Sequence, residues 1–181
     1  MEDCRRTECP LYGKSCVWPD LVPSSKILIV GEAPGRVEVE RGRPFVGPSG
    51  QYLRRELRAV GVNPLTDVSY TNAVKCRPDG NATPPFEALK TCSPNLINDI
   101  IRLKPVIVVL LGRTAVTAIN LIGDPKFEPL PMASLVGKTK DMTVMGHRFT
   151  ALVNYHPSFV LRNPEFKADF RLNMMKVTQY I

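Results

Sequence analysis

Apolar residues along this chain fall into short dense runs separated by longer amphipathic stretches, and the two kinds alternate. Lys26-Ile-Leu-Ile-Val-Gly31 and Pro105-Val-Ile-Val-Val-Leu-Leu-Gly112 are continuous apolar runs ending at glycine, the pattern of strands buried on both faces. Asp67 to Val74 and Phe149 to Tyr155 read as two more strands. Between them the period changes. Gly50 to Val60 places Tyr52, Leu53, Leu57 and Val60 on one side with arginines between, and Pro85 to Leu103 does the same with Leu89, Leu96, Ile97, Ile100 and Ile101. Arg113 to about Leu121 and Pro164 to Tyr180 complete the predicted helices, and Thr139 to His147 reads as a hairpin turning at Gly146. Strand–helix alternation with doubly buried strands predicts an α/β fold, a mostly parallel four-stranded sheet between helical layers, in one domain over 1–181.

Ligands bind such sheets beyond the carboxyl ends of the strands. There the unusual residues collect: Gly31-Glu32-Ala33-Pro34-Gly35 and Gly42-Arg43-Pro44-Phe45-Val46-Gly47 after the first strand, Asn72 at the end of the second, and Asn154-Tyr155-His156-Pro157-Ser158 after the fourth. Each has a bland explanation alone, as a cap, a core aromatic or a satisfied loop histidine. An acid, an aromatic, an amide and an imidazole converging on one rim predict a site.

Composition adds two constraints. In 181 residues, 24 Lys+Arg stand against 17 Asp+Glu, a net charge of +7 that favours a polyanionic partner. No apolar run approaches the length of a membrane span and the first residues lack a signal-peptide core, so the expected location is cytoplasmic. The five cysteines are Cys4, Cys9, Cys16, Cys76 and Cys92. In a reducing compartment thiols set between Arg, Lys and Pro make better ligands for zinc or an iron–sulfur cluster than core material, and these would tie the first residues to a loop about sixty positions downstream.

The blocks Gly31 to Gly35, Gly42 to Gly47, Thr71-Asn72-Ala73-Val74-Lys75-Cys76-Arg77-Pro78 and His156-Pro157-Ser158 stand in an order and spacing that resemble the iron–sulfur (family 4) uracil-DNA glycosylases, over nearly the whole chain. The resemblance implies a three-layer α/β/α sandwich, hydrolysis of the N-glycosidic bond of uracil in single- or double-stranded DNA, a monomer, and a [4Fe–4S] cluster. Its ligands would be Cys9, Cys76 and Cys92 with Cys4, or with Cys16 in place of Cys4, because Arg6 stands where the family's first Cys-x-x-Cys ligand falls. By the same resemblance Phe45 stacks on the extruded base, Asn72 reads its imide edge, His156 donates to the leaving uracil, and the backbone around Gly31, Glu32 and Ala33 assists. Glu32 would position water, since Ala33 occupies the place where the wider superfamily often carries an aspartate. Ser158 and Arg162 would hold phosphate while Leu161, or Val160, fills the space the base leaves; Arg54, Arg55, Lys75 and Arg77 are further candidates for the DNA backbone. The competing expectation is a non-catalytic DNA-binding or replication-accessory module on the same fold. A relative trapping the sugar on histidine would need a basic insertion absent before His156, and a zinc-dependent nucleotide hydrolase would bind zinc through the same thiols.

Overall fold

The computed structural model describes residues 6–181. Cys4, one of the expected cluster ligands, lies outside them. Three doubly buried runs form β1 (Ile27–Gly31), β2 (Val68–Asn72) and β3 (Ile107–Leu111), with every residue buried in each. With β5 (His147–Asn154) they make a parallel sheet in the order β2-β1-β3-β5. The sheet has five strands rather than four. The expected hairpin exists, but its first arm, β4 (Thr139–Val144), pairs antiparallel to β5 as an edge strand of the same sheet. Only Met142 and Val144 of β4 are buried, the alternation of a strand that presents one face to the core, so it lacked the dense apolar run that announces the others.

Helices cover both faces. They are α1 (Arg36–Arg41), α2 (Pro48–Ala59), α3 (Phe86–Leu103), α4 (Arg113–Ile122), α5 (Met132–Leu135), α6 (Pro157–Arg162) and α7 (Lys167–Met175). One core lies between the sheet and α3 and α4, where Leu96, Ile100 and Ile119 meet Leu28, Val108 and Ala151. The other lies under α2 and α7, where Leu53, Leu57 and Phe170 meet Ile29, Val109 and Leu152. Short α1 and α6 escape a periodicity reading because each is six residues long, under two turns. At the sheet margins, Asp20 bridges to Tyr70 of β2 and Asp124 bridges to Thr143 of β4. Among the described residues no helix is long and apolar enough to cross a membrane.

Strand order changes direction between β1 and β3: the chain passes from β1 outward to β2, then returns to build on the other side. That reversal leaves a crevice at the carboxyl ends of the parallel strands.

Candidate active site

A cavity of about 260 Å³ occupies the crevice. Glu32 and Ala33 from the end of β1, Phe45 from the following loop, Asn72 from the end of β2, and His156, Ser158 and Arg162 from the segment after β5 all line it. Gly31 lies beneath: a side chain there would sit 2.5 Å from Asn72 Oδ1 and 2.6 Å from Phe45 Cζ. The absence of that side chain lets the ring and the amide share the strand end.

Phe45 is held in an unusual backbone conformation, with φ at 54°. Three contacts fix it. Glu38 of α1 accepts hydrogen bonds from the N–H groups of Val46 (3.0 Å) and Gly47 (2.6 Å). Arg54 Nε donates to the Phe45 carbonyl at 3.1 Å. Gly50 of α2 makes the approach possible, since a Cβ there would lie 2.1 Å from the Phe45 carbonyl carbon. The ring itself is buried and tilts against Tyr70, centroids 5.7 Å apart.

Asn72 is 4% exposed, yet its side-chain amide makes no hydrogen bond among the described residues. Buried amides normally find partners, so this one is arranged for something that enters the cavity. Behind it, Lys75 Nζ donates to the Asn72 carbonyl, to Thr71 Oγ1 and to Asp99 Oδ2, each at 2.7 Å. Lys75 and Asp99 are 1% and 3% exposed. Lys75 is therefore no contact for DNA: it is the buried half of an ion pair that pins the turn after β2, and removing one partner of such a pair costs about 3–5 kcal/mol. Arg54 is also committed inward, donating to Phe45 and to the Pro64 carbonyl and lying 4.4 Å from the Tyr70 ring centre.

His156 caps α6. Its Nδ1 accepts the Ser158 N–H at 3.2 Å and lies 2.8 Å from Ser158 Oγ. An accepting Nδ1 places the proton of the neutral ring on Nε2, which has no partner among the described residues. Burial, and secondarily the Arg162 guanidinium, pushes the His156 pKa down to about 4. The imidazole is thus a neutral donor at physiological pH. Because the unfolded chain takes up this proton near 6.5 and the folded one only near 4, the stability this group contributes is complete above 6.5 and declines as pH falls from 6.5 toward 4. An NMR titration should accordingly give His156 a midpoint near 4; a midpoint near 6.5 would refute the neutral donor.

The remaining expected residues divide. Leu161, which precedes Arg162 of the cavity wall, is 41% exposed, whereas Val160 is fully buried, so of the two only Leu161 presents its side chain at the surface. Phe159 packs on Tyr155 and Phe166, at 5.2 Å between centroids in each case. Glu38, Ser49, Asn81 and Thr114 were not singled out by the sequence. Glu38, Ser49 and Asn81 line the cavity, and Thr114 donates its hydroxyl to Glu32 Oε2. Thr114 was legible in principle, standing three residues past the end of β3 in the turn into α4, on the same rim as the other candidates; nothing in the spacing marks Glu38.

The cysteines gather on the α3 side. Cys16 and Cys76 face one another across an isolated antiparallel bridge with their sulfurs joined, Cα atoms 3.9 Å apart. They share a buried cluster with Cys92, and Cys9 packs against it. Cys9 Sγ accepts the Leu11 N–H and Cys92 Sγ the Asn95 amide, both at 3.4 Å. Among the described residues no group of three or more His, Cys, Asp or Glu side chains is set to hold a metal ion. The donor chemistry, soft sulfurs with N–H groups directed at two of them, nevertheless fits a thiolate-held group. From Cys76 the chain runs straight to the cavity wall, which Pro78, Asn81 and Ala82 form.

A sequence profile of the uracil DNA glycosylase superfamily matches residues 19–177, and so spans every strand and the whole cavity. The chain belongs to the uracil DNA glycosylase superfamily. Within it, a type-4 uracil-DNA glycosylase of Pyrobaculum aerophilum is 38% identical, over 92% of this chain and 85% of its own. Those of Archaeoglobus fulgidus and Saccharolobus solfataricus are 33% and 30% identical, covering 84% and 97% of this chain and 75% and 81% of their own. Superfamily membership accords with the sheet order and with a cavity at the strand ends.

Proposed function

We propose that this protein is a monofunctional uracil-DNA glycosylase that hydrolyses the bond between C1′ and uracil N1 in DNA, leaving an abasic site. The observation that carries this reading is the buried, unpartnered amide of Asn72 beside the Phe45 ring. The extruded uracil stacks on Phe45. The Asn72 amide offers one donor and one acceptor to the imide edge of uracil; cytosine presents an amine in place of an oxygen and mismatches it. Because the amide has no hydrogen-bond partner among the described residues, it gives up no bond to them in reading the base.

As the C1′–N1 bond breaks, its electron pair passes to the pyrimidine ring and positive charge develops on the sugar. His156 Nε2–H donates to the forming uracil anion, and its neutrality avoids a proton transfer at that step. Water oriented by Glu32 adds to C1′ and passes its proton to the Glu32 carboxylate, which returns it to solvent as the departing uracil anion takes one up. Ala33 brings no carboxylate to share this work, so stabilising the leaving group carries the larger part of the rate. Arg162, with Ser158, takes a phosphate, and Leu161 fills the vacated stack.

For the cluster, the donors would be Cys9, Cys76, Cys92 and Cys16, all four in or against one buried group; Cys4, the other candidate, lies outside the described residues. A [4Fe–4S] cluster held there, with the thiols reduced, would brace the segment from Cys76 to the cavity wall. Cys76→Ala and Cys92→Ala variants should lose visible absorption and bound iron together and unfold at lower temperature than wild type. Iron content unchanged in either would remove that residue from the ligand set.

The deciding test is release of uracil from single- and double-stranded oligonucleotides, read as alkali-labile strands. Purified, iron-replete protein that binds the oligonucleotide yet leaves uracil in place would sink the enzymatic reading and leave the binding-module alternative.

A further inference from the structure

We propose that Thr114 is a positioning residue for catalysis, holding the Glu32 carboxylate so that one of its oxygens is kept for water; this rests on the water-orienting role given to Glu32 above. The chain's other helical threonines with a recorded hydroxyl bond turn back on their own segment: Thr91 donates to Glu87, Thr117 to Arg113 and Thr178 to Met175, three or four residues away. Such bonds are the ordinary local use of a threonine hydroxyl. Thr114 reaches instead across 82 residues to Glu32 Oε2.

Thr114 is buried, and the partner its hydroxyl takes is the Glu32 carboxylate. It is the second residue of α4, whose N-cap is Gly112 and whose start has no side-chain cap bond. By donating to Oε2 it occupies one carboxylate oxygen and leaves Oε1, which has no hydrogen-bond partner among the described residues, on a side chain that lines the cavity. A carboxylate with one oxygen tethered and one free has a fixed direction in which to accept a proton of the attacking water.

The same turn fixes the distance between the two halves of the reaction. Gly112 N–H donates to the Asn154 carbonyl at 3.0 Å, and a side chain at Gly112 would lie 3.1 Å from His156 Cβ. The turn from β3 into α4 therefore abuts the leaving-group donor on one side and grips the water-side carboxylate on the other. Hydrogen bonds to a charged group are among the stronger ones in proteins.

Thr114→Val keeps the side-chain volume and removes only the donor. Measured with wild type, Thr114→Ser and Glu32→Gln, its single-turnover rate of uracil release should fall about tenfold while oligonucleotide affinity stays near wild type. Thr114→Ser should recover to within about threefold of wild type. In the Glu32→Gln background, Thr114→Val should cause no further loss. A wild-type rate for Thr114→Val beside a slow Glu32→Gln overturns the assignment to Thr114 alone. So does a serine variant as slow as valine, or an undiminished loss in the Glu32→Gln background. A wild-type rate for Glu32→Gln instead overturns the reading of Glu32 on which the proposal rests.

Discussion

Asn72→Ala should lower the single-turnover rate of uracil release by about 10³-fold, the upper end of what removing one transition-state hydrogen-bonding group does, because this amide supplies a donor and an acceptor at once. The residual activity should also lose much of its preference for uracil over cytosine. The prediction has an internal control that few active-site substitutions offer. The amide makes no hydrogen bond to the described residues, so truncating it strands none of them, and the variant should unfold within about 1 kcal/mol of wild type. Its carbonyl, which receives Lys75 Nζ, belongs to the backbone and survives the substitution. A well-folded Asn72→Ala that releases uracil at the wild-type rate would mean that the cavity reads its base some other way.

His156→Ala should cost about 10²–10³ in the same rate and leave oligonucleotide affinity nearly unchanged, since the donated hydrogen bond strengthens only as charge builds on the leaving base. Here a modest stability loss of about 1 kcal/mol is expected as well, because the imidazole is the N-cap that receives the Ser158 N–H. Affinity and rate falling in parallel would point to ground-state binding, and the leaving-group role would be lost. The two variants thus differ in kind: one removes an amide that bonds none of the described residues, the other a ring that also caps α6.

The sheet and the cavity at its strand ends were legible because both follow from position. Ile107 to Leu111 and Ile27 to Val30 can be little other than buried strands, and the meeting of Glu32, Asn72 and His156 around one cavity needed only the rule that crevices open beyond strand ends. What escaped is what depends on distant contacts. Lys75 reads as a surface base until Asp99, twenty-four residues on, turns out to face it from α3. Arg54 reads as a solvated helix arginine until it closes on the Phe45 carbonyl. Glu38 falls in a helix of six residues whose charges suggest solvent, and only the fold brings Val46 and Gly47 back to it. β4 joined the sheet unannounced because a strand with one wet face carries half the apolar signal of a central one.

The single-residue pairings at the margins of the sheet bear on how the protein behaves in company. Asp20 exchanges two backbone hydrogen bonds with Tyr70 at 2.9 Å, and Asp124 does so with Thr143 at 2.7 and 3.1 Å. Each occupies ladder positions that another chain would need, and each leaves a carboxylate-bearing residue lying along the rim; Lys140 and Asp141 add charge beside the second. Exposed strand edges are where folded proteins recruit copies of themselves into fibres and swapped assemblies. In a crowded cell this chain offers a neighbouring strand little purchase at those points, so two copies that met there would have to associate through side chains rather than by sharing a sheet.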